Sequence, residues 1–249
     1  GQRRAAEQIV GQPGDRHVGQ ELDPGIDGHG RRYEPGPGGT IAGVTRALLL
    51  VDLQHDFCAG GALAVPDGDA TVAIANRLMP LFPCVVATQD LHPRDHGSFA
   101  ANHPGRAPYQ VIDLHGLPQV LWPVHCVDGT RGAALHDDLA RDRLAAVFPK
   151  GTDATVDSYS GFWDNGRRKA TGLGAWLRAR GVTSVHVLGL ATDYCVRATA
   201  LDALDDGFAC TLVADGCRAV DLAPGDGDRA IAAMAAAGVT IATSADLVG

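Results

Sequence analysis

The chain has 249 residues, of which 45% are apolar, 20% charged and 5% aromatic, and its formal net charge is −8. These values fit one medium-sized globular domain, or one domain with an extension, and they exclude a collagen, a coiled coil and a wholly disordered chain. No apolar run reaches the ~18 residues of a membrane span, and an acidic chain does not favour nucleic acid. We therefore expect neither a membrane nor a nucleic-acid partner.

Lysine and cysteine usage adds two expectations. Among the 21 basic residues only Lys150 and Lys169 are lysines, and Lys150 stands at the end of an apolar run. This usage predicts that position 150 requires an ammonium group. The six cysteines form no CxxC pair, and no signal peptide is visible, which favours reduced thiols and a cytoplasmic location.

Residues 1–46 differ in composition from the rest of the chain. They contain 11 glycines and four prolines and show little apolar periodicity. Such a segment cannot bury enough apolar surface to offset the entropy lost on ordering. We interpret residues 1–46 as a flexible extension, or as the result of a misassigned start codon, and we place the folded domain at residues 47–249.

From residue 47 onward, short apolar runs alternate with amphipathic stretches. The runs are apolar at both odd and even positions, as is typical of strands buried on both faces, and their alternation with helices predicts right-handed crossovers. We predict an α/β fold, a doubly wound, mostly parallel six-stranded sheet with helices on both faces in a Rossmann-like three-layer arrangement. The predicted strands are Ala47–Leu53, Cys84–Thr88, Leu144–Phe148, Val185–Leu190, Ala209–Ala214 and Val239–Ala242. Three helices are predicted. The first ends at Gly181, the second runs from about Tyr194 to Asp206, and the third runs from about Asp228 to Ala237.

Chemically active residues follow four of these strands, at the sheet edge where ligands bind in open parallel sheets. Asp52, Asp90 and Lys150 come at the ends of the first three runs, and Cys195 begins the helix after the fourth. A helix start and a nearby lysine would lower the pKa of the Cys195 thiol, and Asp52 could take its proton. The residues alone leave an alternative open for each of the two. Cys195 could be a buried apolar cysteine, and Asp52 could be a capping carboxylate.

The segment from Leu91 to Arg143 is too long for a plain crossover, and long insertions are usually functional. Asp90 and His92 share one face of an extended segment, and a carboxylate with imidazoles suits Zn²⁺, Mn²⁺ or Fe²⁺. The Asp-x-His pair alone is weak evidence for a metal site, because a single loop histidine is more often simply solvated. The insertion holds five of the ten histidines, namely His92, His96, His103, His115 and His125.

Six motifs, in order along the chain, resemble the nicotinamidase (pyrazinamidase) branch of the isochorismatase-like cysteine hydrolases. Together they extend the resemblance from about Ala47 to the C-terminus. The motifs are Val-Asp-Leu-Gln-x-Asp-Phe at 51–57, Thr-Gln-Asp-x-His-Pro-x-x-His-x-Ser-Phe at 88–99, Trp-Pro-x-His-Cys-Val at 122–127, Phe-Pro-Lys-Gly at 148–151, Tyr-Ser-Gly-Phe at 159–162 and Gly-Leu-Ala-Thr-Asp-x-Cys-Val at 189–196.

The resemblance implies a metal-dependent amidohydrolase that converts nicotinamide to nicotinate and ammonia, and pyrazinamide to pyrazinoate, in NAD salvage. It implies one divalent transition metal, zinc first and iron or manganese as alternatives, a small-molecule substrate, and a monomer or small homo-oligomer. By position, the catalytic residues are Asp52, Lys150 and Cys195, and the metal ligands are Asp90, His92 and His125, with His96 as a candidate fourth. The implied substrate-binding aromatics are Phe57, Trp122 and Tyr159, and the backbone N–H groups of Ala191 and Cys195 form the oxyanion hole after a cis Leu190–Ala191 bond.

Two alternatives remain at this stage. Another hydrolase of the same fold could act on isochorismate, carbamoylated amines or ureido compounds, although such relatives generally lack the Asp-x-His…His set. A catalytically idle member that only binds a metal or ligand would be supported by loss of a triad residue, and none is lost.

Overall fold

A parallel sheet of six strands forms the centre of the computed structural model, which describes residues 46–248. The sheet has the spatial order β5-β2-β1-β6-β7-β8, and all five pairings are parallel. The predicted α/β sheet is therefore confirmed. A separate antiparallel hairpin is formed by β3 and β4. The strands are β1 (Arg46–Val51), β2 (Val85–Asp90), β3 (Val111–Leu114), β4 (Leu117–Val120), β5 (Ala146–Lys150), β6 (Ser184–Leu190), β7 (Ala209–Arg218) and β8 (Thr240–Ala242).

The first strand begins at Arg46, one residue before the predicted start of the domain. The predicted extension otherwise lies outside the described residues. All six cysteines are free and buried.

Five helices surround the sheet. Within residues 46–248, helices α1 and α5 contact each other and β7, while α3 and α4 contact each other, α3 contacts β7 and α4 contacts β8. The sequence predicts α2, α3 and α4 but gives no prediction for α1 or α5. The helices are α1 (Asp69–Leu78), α2 (Leu173–Ala179), α3 (Arg197–Asp205), α4 (Asp226–Ala237) and α5 (Ser244–Val248).

No helix within residues 46–248 has the length and apolar character needed to cross a membrane.

The end of α4 shows how local sequence sets a helix boundary. Gly238 adopts φ 106°, a left-handed conformation that glycine tolerates best. The N–H groups of Gly238 and Val239 then donate to the carbonyls of Ala235 and Met234, which closes the last turn. The predicted stop of this helix at Gly238 is confirmed.

The strand order reverses between β1 and β6, because the chain builds the sheet outward from β1 in one direction and later from β6 in the other. A doubly wound sheet opens a crevice outside the carboxyl ends of the strands at such a point. The residues that follow β1 and β6 therefore lie at the natural ligand site of this fold.

The long insertion between β2 and β5 folds back over this edge. The N–H of His92 donates to the carbonyl of Cys126, and the N–H of Asp128 donates to the carbonyl of His92. The N–H of Trp122 donates in the same way to the carbonyl of Ser98. These bonds bring the middle of the insertion beside its start.

Candidate active site

Lys150 lies at the centre of a buried polar cluster at the switch point. Its Nζ is 2.9 Å from Oδ2 of Asp52 and 3.0 Å from Oδ1 of Asp90. It also donates to the carbonyl of Ser158 at 2.9 Å and to Sγ of Cys195 at 3.4 Å. The Lys150 side chain is 0% exposed, so these contacts form away from water. The structure thus brings together the three residues predicted to form the catalytic triad.

The sheet register explains how Asp52, Asp90 and Lys150 meet. Asp90 and Lys150 are direct partners at the ends of β2 and β5. Asp52 follows β1 with φ 51°, and the hydroxyl of Thr88 donates to its Oδ1 at 2.6 Å. A non-glycine residue in the left-handed region needs support from its surroundings, and Thr88 on the neighbouring strand provides a bond to both the backbone and the side chain of Asp52.

Burial sets the protonation tendencies of the cluster. Burial raises the pKa of Asp52, although Lys150 opposes this effect. Burial alone would lower the pKa of Lys150, but Asp52 and Asp90 hold it well above its usual value. The two carboxylates therefore favour the ammonium form of Lys150.

The prediction that the pKa of the Cys195 thiol is lowered is wrong in direction. Burial raises it well above its usual value, Lys150 lowers it only in part, and the carboxylates of Asp52 and Asp90 add to the increase. Removing a thiol from water disfavours the thiolate more strongly here than one ammonium can compensate. A nucleophilic Cys195 therefore needs a partner that takes its proton.

Cys195 lies in a π-helical turn, Thr192–Val196, that leads directly into α3. The turn follows a cis peptide bond between Leu190 and Ala191, as the resemblance implies. The N–H groups of Tyr194 and Val196, on both sides of Cys195, donate to the carbonyl of Ala191. This places Ala191 and Cys195 next to each other at the end of β6, where both contact the same pocket.

The predicted metal ligands also converge. Oδ2 of Asp90 is 2.9 Å from Nε2 of His92 and 3.3 Å from Nε2 of His125, and all three side chains are buried. His96 packs on His92 with ring centroids 4.2 Å apart, but its ligand atoms group with His92 and Asp157. The structure therefore places His96 beside the three-residue set and not within it.

The tautomers of the two histidines fit a cation. Nδ1 of His92 lies 2.8 Å from the carbonyl of Gly151, and Nδ1 of His125 lies 2.8 Å from the carbonyl of Pro123. A carbonyl only accepts, so each Nδ1 carries hydrogen and each Nε2 is the ring atom that faces the same Asp90 oxygen. With a metal bound, each Nε2 would offer its lone pair to the ion. Three lone-pair donors that meet at one point are a suitable set for a divalent transition metal.

Gly151 offers a test of the metal set in which all three ligand residues are kept. Its φ is +67°, and an added Cβ would lie 2.5 Å from Cε1 and 2.8 Å from Nδ1 of His92, and 3.0 Å from Oδ1 of Asp90. Gly151→Ala should therefore displace the His92 ring and lower metal affinity by about 10- to 100-fold, the usual cost of disturbing a ligand's supporting contacts. Metal titration of the purified variant measures the change.

Gly116→Ala is the matched control, because Gly116 also has positive φ (+89°) but no atom within 4 Å of an added Cβ. Unchanged metal affinity in Gly151→Ala would contradict the role given to the His92 orientation.

An aromatic pocket opens above the cluster. The predicted ring-binding residues Phe57, Trp122 and Tyr159 all line it, together with Cys195, His92 and His125. Phe57 packs edge-on against His125, and the rings of Trp122 and Tyr159 stand perpendicular to each other at 6.5 Å. The cavity between these side chains is small, with a volume of about 30 Å³.

Sequence reasoning missed several residues that shape the site. Gln54 clamps the backbone of Asp90, because its Nε2 donates to the Asp90 carbonyl at 2.7 Å and its Oε1 accepts the Asp90 N–H at 2.8 Å. Tyr194, for which the sequence already predicts an influence on the pocket from its place beside Cys195, packs on Trp122 at 4.8 Å and completes the aromatic wall. Gln54 and Thr88 lie two residues from Asp52 and Asp90 respectively, and that spacing was the available signal.

Comparison with known proteins shows the family to which this chain belongs. The chain belongs to the isochorismatase family, since residues 46–246 match the family model of the isochorismatase domain.

Individual relatives indicate the branch of this family, and they confirm the resemblance to nicotinamidases. The chain is 54% identical over 205 residues to a nicotinamidase of Escherichia coli (strain K12), covering 81% of this chain and 96% of that protein. It is similar to the structure of the Acinetobacter baumannii nicotinamidase/pyrazinamidase, with TM-score 0.80, 44% identity and coverage of 82% and 98%. A Pyrococcus horikoshii pyrazinamidase solved in complex with zinc has TM-score 0.65, 38% identity and coverage of 80% and 98%.

Proposed function

We propose that this protein hydrolyses nicotinamide to nicotinate and ammonia, and pyrazinamide to pyrazinoate, through a thioester on Cys195. The observation that carries the proposal is the contact of Lys150 with Asp52, Asp90 and Cys195 at the floor of an aromatic pocket. The nicotinamidase relatives support the same substrate.

A divalent metal, for which zinc is our first candidate, would be held by Asp90, His92 and His125 and would supply a Lewis-acidic point for the pyridine nitrogen. The zinc-bound pyrazinamidase and the three converging donors support this choice. Phe57, Trp122 and Tyr159 would enclose the ring and aim the carboxamide at Cys195.

The first half of the reaction forms the thioester. Asp52 takes the thiol proton of Cys195, and Lys150 holds both groups in place. Sγ then bonds to the carboxamide carbon, and the C=O electron pair moves onto oxygen. The backbone N–H groups of Ala191 and Cys195 would stabilise that oxyanion, at about 3–4 kcal/mol per donor.

The second half releases both products. The oxyanion reforms the carbonyl, the C–N bond breaks, and Asp52 returns its proton to the departing nitrogen to give ammonia. A water molecule then loses a proton to Asp52 and attacks the thioester carbon. The C–S bond breaks, the thiolate regains its proton from Asp52, and nicotinate leaves.

We further place this reaction in NAD salvage in the cytoplasm, with the domain at residues 47–249. Six free cysteines support a reducing compartment. Every proposed site residue lies between Asp52 and Cys195, so the segment before residue 47 has no assigned part in the chemistry.

The deciding experiment measures ammonia release from nicotinamide by protein loaded with metal, by protein treated with a chelator, and by chelated protein resupplied with zinc, manganese or iron. We expect release by the loaded protein, loss on chelation and recovery with at least one metal. His125→Ala should reduce both bound metal and kcat/KM by more than about 100-fold, because a direct ligand is removed.

His115→Asn is the control, since His115 is an exposed histidine of the same insertion. No ammonia release from the metal-loaded protein would reject the proposed function. Full activity of metal-free protein would reject the metal assignment alone.

A further inference from the structure

Asp157 and Gln119 form a buried polar pair that the proposed mechanism does not use, and Asp157 lines the pocket on the side of His92. Asp157 follows β5 in the chain, and Gln119 lies on β4 in the hairpin of the insertion. Both are almost completely buried, at 3% and 2% exposure. Burying a carboxylate and an amide costs free energy unless both are hydrogen-bonded, so the bonds that they make identify what they hold.

The amide of Gln119 has three acceptors around its nitrogen. Nε2 is 2.8 Å from Oδ2 of Asp157, 2.8 Å from the carbonyl of Val120 and 3.2 Å from the hydroxyl of Tyr159. The NH₂ group of Gln119 has two hydrogens for these three acceptors. The hydrogen that reaches the Tyr159 hydroxyl, at the longest of the three distances, is therefore shared with one of the other two acceptors. The second Asp157 oxygen, Oδ1, accepts the N–H of Ser158 at 2.8 Å.

A carboxylate at position 157 fixes the orientation of that amide. An ionised carboxylate can only accept, and so can the Val120 carbonyl, so Gln119 must direct its NH₂ group toward both. The NH₂ group then also faces the Tyr159 hydroxyl. An asparagine at 157 could keep only one of the bonds from Gln119 and from the Ser158 N–H, because its NH₂ group cannot accept either of them.

The Tyr159 hydroxyl is thereby fixed from two sides. It accepts from Nε2 of Gln119 and, at 3.1 Å, from Nε1 of Trp122, which is a donor only. Tyr159 and Trp122 are two of the three aromatics proposed to enclose the substrate ring. Their relative position therefore depends on a hydrogen-bonded chain that begins at Asp157.

We propose that Asp157 and Gln119 are positioning residues for the ring-binding wall, a pair that we call the brace. The proposal rests on the proposed function, because it assigns the pocket to an aromatic amide. The brace bonds to Tyr159 and makes no hydrogen bond to Asp52, Lys150 or Cys195 among the described residues, so its loss should weaken ring binding in the ground state and transition state alike. KM should then rise while kcat changes little.

The test compares Asp157→Ala, Asp157→Asn and Gln119→Leu with the wild type in the metal-loaded enzyme. We expect KM for nicotinamide to rise about tenfold in Asp157→Ala and Gln119→Leu, with kcat changed less than about threefold, as loss of a buried hydrogen bond to a charged group allows. Asp157→Asn should show a smaller rise, since one of its two bonds can be kept. Nicotinate binding, measured by titration calorimetry, should weaken in the same order.

Asp153→Asn and Gln110→Leu are matched controls, because Asp153 caps Thr155 in the same segment as Asp157, and Gln110 is an exposed glutamine of the insertion. Wild-type KM and binding in the brace variants would overturn the brace and leave the proposed function standing. A loss confined to kcat would also overturn it. An inactive wild type whose nicotinate binding still weakens in these variants would refute the function alone, and an inactive wild type without binding would refute both.

Discussion

Cys195→Ala is expected to reduce nicotinamide hydrolysis by at least about 10⁴-fold, since loss of a nucleophile costs this much or more in enzymes that form covalent intermediates. The thiol is the only sulfur in contact with Lys150 within residues 46–248, and it lies at the pocket floor. Ammonia release measures the loss. Rapid acid quenching followed by mass spectrometry should detect the acyl adduct in the wild type and not in the variant.

Cys84→Ala is the control for Cys195→Ala. Cys84 is also a free, buried cysteine, but it precedes β2 at the opposite end of that strand from Asp90. It should retain activity close to the wild type. More than about a tenth of wild-type turnover in Cys195→Ala would rule out the thioester route, because background hydrolysis by the remaining pocket is far slower.

Lys150→Arg is expected to lower kcat/KM by about 10³-fold even though the positive charge is kept. Nζ of Lys150 serves four acceptors that surround it, and the side chain has no exposed surface. A planar, longer guanidinium cannot occupy that space or reach acceptors arranged around a point, so Asp52 and Cys195 would move apart. Steady-state kinetics measures the loss, and circular dichroism confirms that the variant is folded.

Lys169→Arg, the same substitution at an exposed lysine, should leave kcat/KM unchanged. Wild-type activity in Lys150→Arg would show that a positive charge is sufficient. The proposed role of a compact ammonium would then be wrong.

The sheet was predictable because its strands are buried on both faces. Five of the six strands have short Val-, Leu- and Ala-rich runs close to their final positions, and β6 (Ser184–Leu190) differs from its prediction by one residue. The longer extent of β7, to Arg218, was not predicted, because its second half contains Asp215 and Gly216, which do not resemble a buried strand. Helix α1 received no prediction, although Val72, Ala75 and Leu78 recur at helical spacing on its buried face.

The candidate site divides in the same way. Asp52, Asp90, Lys150 and Cys195 could be predicted because parallel strands end at one edge, so chain position alone brings them together. The brace could not be predicted, because Gln119 and Asp157 meet only through the fold of the insertion. The direction of the Cys195 pKa shift also depends on burial, which a sequence motif does not give.

The position of Asp90 decides which substitutions can separate the metal set from the catalytic triad. One of its oxygens contacts Lys150 and the other faces His92 and His125, so one carboxylate serves both halves of the site. A substitution at Asp90 would therefore be pleiotropic, and its phenotype could not be divided between lost metal and a disordered nucleophile. His125 faces only Oδ2 of Asp90, the oxygen that does not contact Lys150. A mutant allele at His125 therefore separates loss of the metal from disorder of the nucleophile, which an allele at Asp90 cannot do.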